Sequence, residues 1–157
     1  AEDAAQLSPP LATQAAPDAA KGKYVWRPEE GQAKPGESIT GARDFVSRSA
    51  SAIYQVQVKS DGRYELWALC WWPSVPGGFT VLVDENNAGR PGVRSSAGDP
   101  PRTWTVARVA TPLYLGAGTH SVRLFLNQPG VRVDRFLLAP AGLGKAEVER
   151  ALRSGLK

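Results

Sequence analysis

The sequence predicts an all-β fold: an antiparallel β-sandwich with an extended N-terminal arm and a short C-terminal helix. Three observations carry this. Apolar residues recur at every second position in short runs, the period of a half-buried strand. Turn signals separate the runs, and 16 glycines with 13 prolines supply many chain reversals. No stretch between the runs has helical spacing, so strands follow strands.

Residues 1–22, "AEDAAQLSPPLATQAAPDAAKG", are rich in Ala, Pro, Asp and Gln and have little apolar periodicity. They are expected to form a linker or arm, extended until a partner orders it. With no initial Met, the start also reads like the Ala-rich product of signal-peptide cleavage, which predicts export. From Lys23 the pattern changes, and residues 23–140 are read as the sandwich domain. "KYVWR" is a short strand and "PEEGQAKPGES" a loop. "SAIYQVQV" (51–58) alternates, with Tyr54, Val56 and Val58 on one face and Gln55 and Gln57 on the other. "KSDGRY" centres on Asp-Gly, a strong hairpin signal.

"RYELWALCWW" (63–72) is the most apolar strand. Tyr64, Leu66, Ala68, Cys70 and Trp72 share one face; Glu65, Trp67, Leu69 and Trp71 share the other. Both faces are largely apolar, which predicts a central strand covered on each side along part of its length. Trp67 is assigned to the core, and Trp71 or Trp72 is the surface aromatic of this stretch. "GGFTVLVD" (77–84) alternates around Phe79, Val81 and Val83. Residues 84–102 are almost wholly polar and predict a long loop, a length that goes with a functional role or with disorder. "TWTVARV" (103–109) resumes the pattern. "PLYLGAGTHSVRLFLN" holds two strand pieces split by Gly-Ala-Gly, the second burying Val122, Leu124 and Leu126. "GVRVDRFLLAP" (130–140) is the last strand, with strict alternation placing Val131, Val133 and Leu137 opposite Asp134, Phe136 and Leu138. In the tail, 141–157, Ala146, Val148 and Leu152 fall on one side of a helix that Gly155 ends.

Composition narrows the function classes. The net charge is +4, but the basic residues are scattered with no run of four, which argues against nucleic acid as a partner. No apolar run approaches a membrane span. The lone cysteine, Cys70, precludes an internal disulfide and reads as a buried thiol. The lone histidine, His120, opens a strand. Among Glu29, Glu30, Glu37, Glu65, Asp84 and Glu85 no two are marked as a facing pair, so glycoside hydrolysis has no visible machinery.

The ordered set "GRYELWALCWWPSVPGGFTVLVD", "TWTVARV" and "LYLGAGTHSVRLFLNQPGVRVDRFLLAP" resembles carbohydrate-binding modules of families 6 and 35, jelly-roll sandwiches of galactose-binding-domain type. The resemblance spans roughly Tyr24 to Pro140. It implies a noncatalytic module that holds a glycan at the loop edge of the sandwich, where aromatic rings carry the C–H face of a sugar and polar side chains meet its hydroxyls. Trp104 resembles the stacking residue, with a place in the core as its other reading, and Asn127 resembles the polar partner, with a turn beside Pro129 and Gly130 as its other reading; Trp72, Asn87 and Arg90 complete the expected site, with Asn86 and Asp99 in the same long loop as Asn87 and Arg90. The resemblance makes His120 a structural hydrogen-bonding residue. It also implies a structural calcium, held by Glu29 in "WRPEEG" and by Asp134. Arg27 stands where the family has another acid. That either weakens the cation site or lets Arg27 pair with Asp134 in place of the metal. The alternative function is a structural or accessory subunit of an exported or periplasmic assembly, contacting other proteins through residues 1–22 and 141–157.

Overall fold

The computed structural model describes residues 4–9, 11–17, 19, 23–26, 51–73, 78–84, 92–94, 102–108, 112–126 and 130–154. Their strands are β1 (Gln6–Leu7), β2 (Ala12–Ala15), β3 (Lys23–Trp26), β4 (Ser51–Val58), β5 (Gly62–Trp71), β6 (Gly78–Val83), β7 (Gly92–Arg94), β8 (Trp104–Arg108), β9 (Leu113–Leu115), β10 (Gly118–Phe125) and β11 (Arg132–Pro140). One helix, α1 (Lys145–Arg153), follows. The strands form two antiparallel sheets. One has the order β1-β4-β10-β6-β7; the other has the order β2-β3-β11-β5-β8, with β9 also on β5.

The core between the sheets forms as the alternation requires. From the six-stranded sheet it takes Leu66, Ala68, Cys70, Trp72, Val25 and Val133; from the five-stranded sheet, Tyr54, Val58, Phe79, Val81, Val83, Val122 and Leu124. A chain of rings runs through it. Trp72 stacks on Phe79 at 5.8 Å, Phe79 meets Phe136 edge-on at 6.4 Å, and Phe136 meets Tyr54 at 5.3 Å. The opposite face of β5 is covered by α1. Val148 and Leu152 bury Trp67, Leu69, Val106 and Ala139 in a second apolar cluster. Ala146 is exposed. Arg153 donates to the Trp104 carbonyl at 3.0 Å and Arg135 to the Ser154 carbonyl at 2.7 Å, fastening the helix end to the sheet.

Four features depart from the sequence reading. The N-terminal stretch does not stand apart as an arm. β1 pairs with β4 and β2 with β3, and Leu11 is buried in the main core, so the chain crosses from one sheet to the other along the sandwich edge. The Asp-Gly turn is not a hairpin: β4 and β5 lie in different sheets, so the turn carries the chain across the sandwich. Asp61 there accepts the Ala117 N–H at 2.6 Å, and the Tyr64 hydroxyl donates to the Ser60 carbonyl at 2.7 Å. β7 lies inside the polar stretch read as loop, paired with β6. Finally, β11 has a register shift between Val133 and Arg135. A bulge inserts one residue and reverses the facing of everything after it. Phe136 and Leu138 therefore join Val133 on the core side, and Leu137 packs under α1.

Candidate functional site

Register brings four distant residues into one row. Trp26 pairs with Arg132, Arg132 with Trp71, and Trp71 with Trp104. Directly paired residues of antiparallel strands point to the same face. Val25, Cys70 and Val133, their sequence neighbours, all point into the core. The row therefore lies on the outer face of the six-stranded sheet, beyond the end of α1. All four side chains are half-buried. Arg132 lays its guanidinium over the Trp71 ring at 4.1 Å and over the Tyr24 ring at 5.1 Å. Tyr24 meets Trp104 edge-on at 5.8 Å and donates its hydroxyl to Gln14 on β2 at 2.9 Å. The row sits where β3 and β5 end and β8 and β11 begin. Close packing fixes that end: Gly130 has φ +77°, and a Cβ there would lie 3.3 Å from Pro73.

Of the residues expected to bind sugar, Trp104 is in this row. Trp72 is not: it is 0% exposed, packed on Phe79, and presents no ring face to a ligand. The alternation explains the correction, because Trp71 and Trp72 point to opposite faces and the core takes the second. Asn127, Asn87 and Arg90 lie outside the described residues, as do Asn86 and Asp99. The residues flanking Asn127, Leu126 and Gly130, are at the Trp104 end. Asp84, which precedes the segment carrying Asn87 and Arg90, is at the other end, because Val83 pairs with Val122 while Thr80 pairs with Phe125. Sequence reasoning missed Trp26, Tyr24 and Arg132, since their grouping depends on the register of β3, β11, β5 and β8 together.

Asp134 occupies the bulge and is fully buried. Glu29 and Arg27 lie outside the described residues. Among the described residues no group of three or more His, Cys, Asp or Glu is placed to hold a metal ion. They contribute a single expected carboxylate toward a calcium that takes six to eight oxygens.

At the opposite end, His120 has the structural role expected of it. Nδ1 lies 2.6 Å from Asp84 Oδ2, and Nε2 lies 2.8 Å from the Gly116 carbonyl. A carbonyl only accepts, so Nε2 carries a proton, and the carboxylate favours a second on Nδ1. The Asp84 hydrogen bond above all, then the Gly116 carbonyl, holds the His120 pKa above its usual value. For Asp84, burial pushes the carboxyl up. The hydrogen bonds from His120 and the Ser121 N–H outweigh it, and the carboxyl sits below its usual value. Four other described acids are also engaged. Glu65 pairs with Arg108 at 3.1 Å, Asp61 holds Ala117, Glu147 accepts the Gly144 N–H and Glu149 faces Lys145. Cys70 is buried, its thiol 3.4 Å from the Thr105 carbonyl.

Away from the row, a concavity of about 210 Å³ opens between the sheets against Tyr54, Gln55, Val56, Leu66, Phe136 and Leu138. Its lining is mostly apolar and lacks the paired ring and cation of the outer row.

No family model and no curated protein matches the sequence. Solved structures do match. A family 35 carbohydrate-binding module from Clostridium thermocellum superposes with a TM-score of 0.58 at 16% identity, over 85% of this chain and 90% of that one. The C-terminal family 6 module of a marine laminarinase from Zobellia galactanivorans gives 0.60 at 13%, over 88% and 94%. This chain has the carbohydrate-binding-module jelly-roll fold. A Cry1Da tryptic core variant from Bacillus thuringiensis contains the same fold, with a TM-score of 0.63 at 14% identity over 88% of this chain and 22% of that one. One jelly roll thus serves unrelated proteins, and function has to be argued from the site. Among the described residues no helix is long and apolar enough to cross a membrane.

Proposed function

We propose that this chain is a noncatalytic, exported carbohydrate-binding domain that holds a glycan across the Trp26–Arg132–Trp71–Trp104 row. The observation that carries the reading is the row itself: three half-buried indoles and a guanidinium on one sheet face, beside the end of the sandwich where four strands begin or stop. Half-burial gives each ring a fixed orientation while leaving part of it in water. That suits the stacking of a pyranose C–H face. At a strand spacing of about 4.8 Å, the Cα atoms of the row span about 14 Å, longer than one sugar ring. An oligosaccharide or polysaccharide chain fits this better than a free monosaccharide. The fold shared with carbohydrate-binding modules supports the reading. Export belongs to the same reading, that of a module whose polysaccharide lies outside the cell.

The test is affinity electrophoresis against a panel of soluble polysaccharides, with a hydrolase assay on the same panel. The expected result is retention by at least one polysaccharide, with Kd between ~1 mM and ~1 μM, as a few stacking and hydrogen-bond contacts supply. Trp71→Ala should abolish retention while the domain stays folded. Release of reducing sugar, or unchanged retention by Trp71→Ala, overturns the proposal.

A further inference from the structure

Arginines in this fold divide by what their nitrogens meet. Among the described residues Arg123, Arg132 and Arg135 are half-buried. Arg123 donates to the Ser51 hydroxyl at 3.2 Å, and Arg135 to the Ser154 carbonyl. Arg132 donates to no oxygen among the described residues, and its Nε is buried with no hydrogen-bond partner. Among the described residues its guanidinium meets two ring faces, Trp71 at 4.1 Å and Tyr24 at 5.1 Å. Stacking of this kind offsets part of the cost of taking a guanidinium from water. It leaves the guanidinium without an ion pair among the described residues and its buried Nε–H without an acceptor. It also locks the guanidinium plane, so an incoming oxyanion meets donors already oriented.

We infer that Arg132 recognises an oxyanion on the glycan, so that the ligand of the aromatic row is an acidic polysaccharide bearing carboxylate or sulfate groups on its sugars. The inference rests on the glycan-binding reading of the same row and adds the substrate class. The surroundings agree in sign. Arg102 is exposed near the start of β8, and Arg153 is tied to the Trp104 carbonyl. Glu65, on the same sheet face, is already paired with Arg108. A neutral sugar would find rings to stack on, but would bring no anion to the Arg132 guanidinium. An acidic sugar supplies the missing acceptor while its ring covers an indole.

The experiment is calorimetric titration of the full chain with matched pairs: polygalacturonate against its methyl ester, and a sulfated galactan against the desulfated polymer. A single-stranded DNA oligomer serves as a further polyanion. The acidic member of at least one pair should bind tenfold or more tightly than its neutral partner, with the gap narrowing as salt rises. Which pair shows the gap assigns carboxylate or sulfate. Arg132→Gln should erase the gap between acidic and neutral members. Arg132→Lys, which keeps the charge but not the planar fork, should retain part of it. Equal binding of acidic and neutral members by wild type overturns this inference alone. Failure of every glycan to bind overturns the glycan reading and this inference together. DNA bound more tightly than any glycan overturns the assignment of the ligand class. The wild-type comparison decides even if Arg132→Gln does not fold.

Discussion

Two sets of aromatic rings lie on opposite faces of one sheet and do different work. Inside, Trp72, Phe79, Phe136 and Tyr54 touch ring to ring between the sheets, and Trp72 has no exposed surface. Outside, Trp26, Trp71 and Trp104 are half-buried in a row broken by a stacked arginine. Trp71 and Trp72 are adjacent in sequence and belong to different sets. The period of a strand separates them, so composition says nothing about role here; facing does. The inner set excludes water and fixes the sandwich. The outer set keeps part of its surface in water, although Trp104 also packs against the cluster under α1, and it lies beside a guanidinium that donates to no oxygen among the described residues.

The comparison breaks most visibly at Trp72. Trp72→Ala removes a fully buried ring from a close-packed core and should cost about 3–5 kcal/mol, read as a fall in the denaturant midpoint at unchanged slope. A loss as small as that of an exposed site would mean the inner set is not the core. Trp71→Ala, one residue away, should cost about 1–2 kcal/mol, since only partial burial and one stacked guanidinium are lost. The ratio between the two variants, measured in the same denaturant series, sharpens the contrast.

The smallest effect belongs to neither ring set and marks the end of the sandwich away from the row. His120 has a raised pKa, so its contribution to stability is complete below the unfolded value of about 6.5 and fades as pH rises through the folded value. Asp84 has a lowered pKa, so its contribution is present above the unfolded value and fades as pH falls through the folded one. The pair therefore stabilises most in weakly acidic solution. The Tm difference between wild type and His120→Ala should be largest near pH 6 and shrink toward pH 9. A difference that grows with pH would contradict the protonated pairing.

Much of the fold was legible because its strands are amphipathic at period two. β4 matches its sequence range residue for residue, and the inner faces of β5, β6 and β10 fall where alternation puts them. What could not be read is set by tertiary context. β1, β2 and β7 are edge strands of two to four residues, too short for a period to emerge. The Asp-Gly turn has the local chemistry of a hairpin, and only the pairing of β4 with β10 and of β5 with β11 sends its arms to different sheets. The bulge at Asp134 inverts the facing of the last strand, and no residue type announces it. At the site, Trp104 was legible by resemblance. Trp71 was legible as one of two candidates for a surface ring; Trp26, Tyr24 and Arg132 were not, because their adjacency exists only once strands separated by tens of residues settle into register.

The most direct test is a nitrogen–proton correlation spectrum of the five tryptophan indoles, recorded while the oligosaccharide selected by the panel is added. The account predicts that the indole signals of Trp26, Trp71 and Trp104 shift with saturation, while those of Trp67 and Trp72, buried under α1 and between the sheets, stay in place. Saturable binding that moves only backbone signals at the His120 end, or the Trp72 indole in preference to Trp71, would contradict it.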